Sequence, residues 1–238
     1  LEGDSVLEAG NACGQCSTST GGLLFWHLLI SLSAVTADLK SPLAHKRIEA
    51  FRSLSTLGSR GGEAAVDALL PYVDNEAAYM RMLAIETLAK VAEPGHVKVI
   101  TVLLQRLLDP EGHVFKHAVN ALTALACDGL AQATTELVNL LEQCGQARRA
   151  ALELLPLFSH RGSDSLVAAV RESLLCCNAY PDRTSEDAVA SVMVLSGWRH
   201  MASAIEGLIE ATASRFADAR AVAVSALAQA CSAHDVAQ

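Results

Sequence analysis

One pattern of side chains recurs along the chain and constrains its fold more than any other feature. In "MRMLAIETLAKV", residues 80–91, Arg81 is followed by Ala three residues later, Leu seven later and an apolar residue ten later. We call Arg81 position 0 of this pattern. The same spacing returns at Arg47, Phe115, Arg148, Ser185 and Arg220, with Val192 in the place of Leu in the Ser185 copy. Successive copies therefore lie 34, 34, 33, 37 and 35 residues apart. A nearly constant step over six copies indicates an internal repeat.

Two further sets of residues keep the same period. Glycines that are suited to end each unit in a left-handed conformation lie at Gly58, Gly95, Gly129, Gly162 and Gly197. Acidic residues lie six to nine residues before position 0, at Asp38, Asp74, Asp109 and Glu142. A unit of about 34 residues with one internal turn has room for two helices of roughly 12 to 16 residues. We therefore predict an all-α protein.

A helix pair of this size cannot bury its own apolar face, but stacked pairs share a continuous core. The predicted fold is an α-solenoid of about six stacked antiparallel helix pairs with a period of about 34–35 residues. We expect a polar N-terminal tail over residues 1–21 and a single solenoid domain over residues 22–238. The predicted units are 22–58, 59–95, 96–129, 130–162, 163–197 and 198–234. Pro156 is predicted to kink a second helix, since its ring removes one hydrogen bond.

Charge and composition exclude several classes of function. The formal net charge of −8 argues against a general nucleic-acid binder, which needs a basic surface. The most apolar run, residues 22–35, is shorter than the roughly 20 residues of a membrane span and contains His27, so it predicts a buried helix. Acidic residues precede Lys40, the first basic residue, which argues against a targeting peptide. Scattered cysteines favour a reducing, intracellular compartment, whether cytoplasm or an organelle interior.

The stretch "YVDNEAAYMRMLAIETLAKVA" joins a turn Asp to the Arg, Ala and Leu of the pattern. This combination resembles HEAT and HEAT-like repeats, including the short form of phycobilin lyase-type proteins, and the resemblance extends over residues 22–234. It implies a curved stack whose second helices line the concave side. Phe115 and Ser185 depart from the usual Arg, and the fifth unit has an elongated turn.

No catalytic, metal or cofactor site is predicted. HEAT-like deoxyhypusine hydroxylases bind iron through His-Glu pairs, and no His in this sequence is followed by Glu. Cys13 and Cys16 form a C-x-x-C in a predicted loop without a second ligand pair, so a flexible or partner-bound tail is the favoured interpretation. His113 and His117 are spaced i, i+4 but lack a third ligand nearby in sequence, which favours surface or half-buried histidines.

Basic residues on the predicted second helices give two interpretations. They are Lys46, Arg47, Arg52, Arg81, Lys116, Arg148 and Arg149. They could form a groove for an acidic segment. For Arg47, Arg81 and Arg148 we favour a structural ladder instead, in which they pair with turn acids of their own or the adjacent unit. These acids are Asp38, Asp74, Asp109 and Glu142. The other four, Lys46, Arg52, Lys116 and Arg149, lie off that row and are predicted to contact a partner.

We therefore predict a non-catalytic protein interaction scaffold that needs no cofactor. Such a chain would be a structural or accessory subunit of a larger assembly, contacting other protein subunits through the tail and the concave face. The alternative is a chromophore-handling, lyase-like accessory protein, as the phycobilin lyase resemblance implies. That alternative needs an aromatic-rich pocket, whereas only 4% of the residues are aromatic.

Overall fold

The computed structural model describes residues 32–127, 129–143, 145–180 and 183–235. These residues form helices and turns, with no strand within the described ranges, and the predicted all-α class is confirmed. Contacts divide the chain into two compact units, Leu1–Ser53 and Leu54–Gln238. The predicted tail, its Cys13 and Cys16, and residues 22–31 of the predicted first helix lie outside the described residues. The extent of the solenoid domain stays a prediction.

The described part of the first unit contains a helix over residues 32–39 (α1) and the beginning of α2 (Ala44–Leu57). Its buried apolar side chains are Leu32, Leu39, Ala50 and Phe51. Arg47 donates through Nη1 to the carbonyls of Ser41 and Pro42, at 2.8 and 2.9 Å. This guanidinium therefore closes the turn that precedes its own helix.

The described part of the second unit contains five helix pairs. The first helices are α3 (Gly62–Leu69), α5 (Val97–Gln105), α7 (Ala131–Leu141), α9 (Asp164–Ala179) and α11 (Ala202–Ala211). The second helices are α4 (Ala78–Val91), α6 (Gly112–Leu125), α8 (Gln146–Phe158), α10 (Ser185–Gly197) and α12 (Ala217–Asp235). Short 3-10 helices at Gly58–Gly61, Leu70–Tyr72 and Arg106–Leu108 complete the elements.

The helices of this unit are arranged in two layers. Each second helix packs against the next one, from α4 to α12, and the first helices contact one another from α5 onward. The repeated pattern supplies the core between the layers: Ala84, Ala118, Ala151, Ala188 and Ala223, at three residues after position 0, are each fully buried. Small residues at this position allow the layers to approach closely, so the repeat read from the sequence is the packing unit.

Four of these first helices are shorter than the expected 12 to 16 residues, and α3 and α5 are the shortest. α3 has 8 residues and α5 has 9, and each continues into a 3-10 turn. In the first case Pro71 has no N–H to donate to the carbonyl of Asp67, so the α-helical ladder cannot continue. In the second case Asp109 precedes Pro110, which disfavours the helical conformation at Asp109.

The repeat-ending glycines follow the prediction at four of five positions. Gly58, Gly95, Gly129 and Gly162 have φ angles between 55° and 84°. The prediction is wrong at Gly197, which is the last residue of α10 and is not among the glycines with positive φ. There the helix ends instead at Trp198, with φ −98° and ψ 19°.

Neighbouring repeats are linked at these turns by main-chain hydrogen bonds. The N–H of Gly95 donates to the carbonyl of Leu125, the last residue of α6, at 2.9 Å. The N–H of Gly129 donates in the same way to Phe158, the last residue of α8, at 3.0 Å. At the next junction the indole N–H of Trp198 donates to the carbonyl of Ser159 at 3.1 Å. A side chain thus takes over the role of the backbone donor.

Candidate functional site

The second-helix layer carries a groove between α8, α10 and α12 with a volume of about 770 Å³. Apolar side chains form much of its lining, and Met193 is the most open of them, with 60% of its surface exposed. The apolar lining residues are Leu152, Pro156, Val189, Ala190, Met193 and Val194. The charged lining residues are Arg149, Glu153, Glu186 and Asp218. A binding site for a partly apolar ligand has this composition.

A second depression of about 370 Å³ adjoins this groove, between α6 and α8. It shares the side chains of Arg149 and Glu153 with the larger groove. Lys116, Phe115 and Asn120 line its other side. The two depressions therefore form one continuous surface across four successive second helices, which we call the second-helix groove.

Most of the groove residues occupy fixed offsets in the repeated pattern. Relative to position 0 they lie at +1, +4, +5 and +8: Lys116, Val119 and Asn120 on α6, Arg149, Leu152, Glu153 and Pro156 on α8, and Glu186, Val189, Ala190 and Met193 on α10. These offsets share one helix face, beside the buried stripe at 0, +3, +7 and +10. Sequence reasoning missed Leu152, Val189, Met193 and Asp218 as site residues, although the pattern numbering could have found the first three.

Arg149 joins two helices across the groove. Its Nη1 lies 2.6 Å from Oε2 of Glu186, and its Nε lies 3.8 Å from Oδ1 of the buried Asp187. Asp187 is held by a capping box at the start of α10, in which its backbone N–H donates to the hydroxyl of Thr184 and its carboxylate accepts from the N–H of Thr184. The cation is thereby fixed at the boundary between the two depressions.

The residues predicted to contact a partner lie in two places. Lys116 is exposed on α6 and Arg149 is partly exposed on α8, where both line the second-helix groove. Lys46 and Arg52 are exposed on α2, in the first unit. The structure therefore brings Lys116 and Arg149 to one surface.

The arginines at position 0 share one role, which is to donate to carbonyls of the turn before their own helix. Arg81 donates to the carbonyls of Asn75 and Glu76, at 2.9 and 3.0 Å. Arg148, which is 1% exposed, donates to Leu141 at 2.7 Å and also to Gln143. Arg47 makes the same bonds in the first unit, and Arg220 donates to Ser214 at 2.8 Å.

Arg81 makes in addition a bidentate ion pair with the turn acid of the next repeat. Its Nε and Nη2 each lie 2.8 Å from the carboxylate oxygens of Asp109, whose side chain is 1% exposed. Burial acts to raise the pKa of Asp109, but the bonds from Arg81 and from the N–H of Glu111 outweigh it and hold this pKa below its ordinary value. The pair links the two repeats.

The other turn acids are placed differently. Asp74 pairs with Arg106 at 3.0 Å instead of with an arginine at position 0. Asp38 is exposed, and its backbone carbonyl accepts from the N–H of Ser41 at 3.1 Å. Glu142 is exposed at the end of α7, and Arg148 donates to the carbonyls on either side of it. Turn carbonyls, rather than carboxylates, are thus the acceptors that all four position-0 arginines share.

Within the described ranges, the histidine pair from the sequence is not part of a metal-binding group. His113 and His117 lie on α6, and within the described ranges no group of three His, Cys, Asp or Glu side chains is positioned to hold a metal ion. Burial, followed by the nearby charge of Asp187, raises the pKa of the Cys177 thiol to about 11. In the same ranges no helix combines the length and the apolar character that a membrane crossing requires.

Comparison with known proteins gives one family match and several structural ones. Residues 33–126 match the family model described as HEAT repeats. A designed armadillo repeat protein is 20% identical, with a TM-score of 0.54 over 84% of this chain and 99% of that chain. A computationally designed armadillo repeat protein for modular peptide recognition is also 20% identical, with a TM-score of 0.51 over 84% and 99% of the two chains.

The complex of CpcE and CpcF of phycocyanin lyase from Nostoc sp. PCC7120 is 20% identical, with a TM-score of 0.48 over 94% of this chain and 81% of that chain. Comparison with curated proteins finds no match. The HEAT and armadillo fold is typical of protein interaction scaffolds, which bind partners along the surface of stacked repeats. The helix pairs and the likeness to the two designed armadillo repeat proteins show an α-solenoid fold, and residues 33–126 are similar to HEAT repeats.

Proposed function

We propose that this protein is a non-catalytic scaffold that binds a segment of a partner protein in the second-helix groove. The observation that carries the proposal is the apolar lining between α8 and α10, which is open to solvent at Met193. An exposed thioether in a concave apolar surface adapts to the shape of a bound side chain. The groove crosses four second helices, so an extended partner segment would contact several repeats in turn.

Lys116 and Arg149 are the predicted partner contacts that line this groove, and we propose that both face the bound segment. Lys46 and Arg52, which are exposed on α2, would form a separate contact. Repeat proteins present one binding surface over successive units, and the designed armadillo protein named above was made for peptide recognition. In this proposal the chain is a structural or accessory subunit that connects other proteins.

The test compares two variants that each replace an apolar side chain of similar exposure by a charged one. Met193→Glu lies in the groove, whereas Ile209→Glu lies on the first helix α11, with 56% of Ile209 exposed. The tagged wild-type protein and both variants are purified under mild conditions, and the co-purifying proteins are quantified by mass spectrometry. Circular dichroism checks that both variants are folded.

We expect a stoichiometric partner set with the wild-type protein and Ile209→Glu, and its loss with Met193→Glu. Retention of the full set by Met193→Glu would overturn the groove as the binding site. An absorbance scan of the eluate tests the chromophore-handling alternative. A visible pigment without partner proteins would overturn the scaffold proposal and support that alternative.

A further inference from the structure

We infer that the second-helix groove selects a partner segment in which an apolar side chain stands next to a basic one. The inference rests on the proposed function and specifies the chemistry of the ligand. The basic residues of the sequence suggested an acidic ligand. A basic ligand is expected instead, because an ion pair between helices engages the basic side chain in this part of the groove.

The charges between α8 and α12 are predominantly acidic. Among the described residues that line this part of the groove, Glu153, Glu186 and Asp218 are acidic and Arg149 is basic. Arg149 is already engaged, with its guanidinium 2.6 Å from Glu186 and a further approach to Asp187. Its positive charge is therefore not available to attract an acidic ligand into this region.

Two carboxylates remain available to a ligand. Glu153 and Asp218 are exposed, and neither lies within ion-pair distance of a cationic side chain among the described residues. They border the apolar lining around Val189 and Met193. A basic side chain at this border would gain charge complementarity, whereas an acidic one would meet like charges.

The apolar lining between these carboxylates suits the stem of a basic side chain. Lys and Arg bury their methylene groups on apolar surface while the charged head stays near water. A ligand Lys or Arg can therefore lie along Val189 with its head beside Asp218, while the neighbouring apolar side chain contacts Met193. Asp218 also lies in the first turn of α12, so its position is set by a helix of 19 residues.

The charge of the lining changes sign along the groove, which determines the end at which the basic residue of the ligand lies. At the α6 end the +1 offset is Lys116, and at the α10 end it is Glu186. A segment whose basic residue points toward α12 avoids Lys116, whereas the reversed segment would bring its basic residue close to that lysine. The basic residue of the ligand is therefore expected toward α12, whichever way the segment runs.

The experiment is selection of a random octapeptide phage library on the immobilised chain of residues 1–238. We expect enriched peptides to carry Lys or Arg next to an apolar residue, and to bind as synthetic peptides in fluorescence anisotropy. The double variant Glu153→Gln and Asp218→Asn should weaken this binding about tenfold, and added salt should weaken binding to the wild-type protein. The matched control is Glu136→Gln with Glu142→Gln, which changes the net charge equally at exposed residues of the first-helix layer.

The outcomes separate this inference from the proposed function. Enrichment of acidic or uncharged peptides that bind the wild-type protein and not Met193→Glu would overturn the inference while supporting the groove. Basic peptides that bind the Glu153 and Asp218 double variant as tightly as the wild-type protein would also overturn it. Failure to obtain any peptide whose binding depends on Met193 would overturn both.

Discussion

The indole ring of Trp198 lies against Gly162, so closely that a Cβ at residue 162 would fall 2.8 Å from the ring carbons. Gly162 has φ +68°. Trp198 is 1% exposed, and its indole N–H donates a hydrogen bond to the carbonyl of Ser159. Two repeats therefore meet at a contact that requires both the missing side chain and the left-handed backbone of glycine.

We expect Gly162→Ala to lower the free energy of unfolding by about 3 kcal/mol, because it adds a clash with a buried ring to the strain of a left-handed alanine. Gly129→Ala is the matched control, since Gly129 has φ +84° but its Cβ would meet no atom within 4 Å. This control should lose only about 1 kcal/mol. Urea unfolding measures both values, and equal losses would contradict the role of Trp198.

The buried pair of Arg81 and Asp109 predicts a pH-dependent stability. Asp109→Asn should lower the free energy of unfolding by about 3 kcal/mol at pH 7, because it leaves the Arg81 guanidinium without its partner carboxylate. The folded pKa of Asp109 lies below the unfolded value of about 4, so its contribution is present above pH 4 and is lost as the pH falls through the folded pKa. Urea unfolding of both proteins between pH 7 and pH 2 should show the difference shrinking below pH 4, and a constant difference would refute the assignment.

Replacing the buried Arg148 of α8 should lower the free energy of unfolding more than replacing the exposed Arg220 of α12, which occupies the same position in the repeated pattern. Arg148→Met should lower the free energy of unfolding by about 3 kcal/mol, because the carbonyls of Leu141 and Gln143 lose their hydrogen bonds from the guanidinium. Arg220→Met should lower the free energy of unfolding by less than about 1 kcal/mol, since Arg220 is exposed and, among the described residues, donates to the carbonyl of Ser214 alone. Chemical unfolding measures both, and a cost for Arg220→Met equal to that for Arg148→Met would count against burial as the cause.

Cys177 should be unreactive in the folded protein. Its thiol is fully buried and has a pKa of about 11, so at pH 8 only about one molecule in a thousand carries the reactive thiolate. Cys231 on α12 is exposed and serves as the comparison. Labelling with iodoacetamide, followed by peptide mass spectrometry, should modify Cys231 first and Cys177 only after unfolding. Equal rates would show that α9 opens readily.

The repeat and its core were predictable because they depend on spacing alone. Ala84, Ala118 and Ala151 are buried where the pattern places them, since helix periodicity fixes which face they share. The groove was less predictable, because its character depends on which helices become neighbours. Nothing local in the sequence indicates that Arg149 is held by Glu186 on the next second helix, and that pairing leaves the surface near Asp218 acidic.

The main-chain links from Gly95 to Leu125 and from Gly129 to Phe158 have a consequence for how this chain can change over evolutionary time. The coupling uses an amide hydrogen and a carbonyl, which every residue except proline supplies. Arginine at position 0 can therefore be replaced, as it is by Phe115 and Ser185, without removing the bonds that set the spacing between repeats. Exposed side chains of the second helices can therefore differ from repeat to repeat while these main-chain bonds keep the repeats at the same spacing.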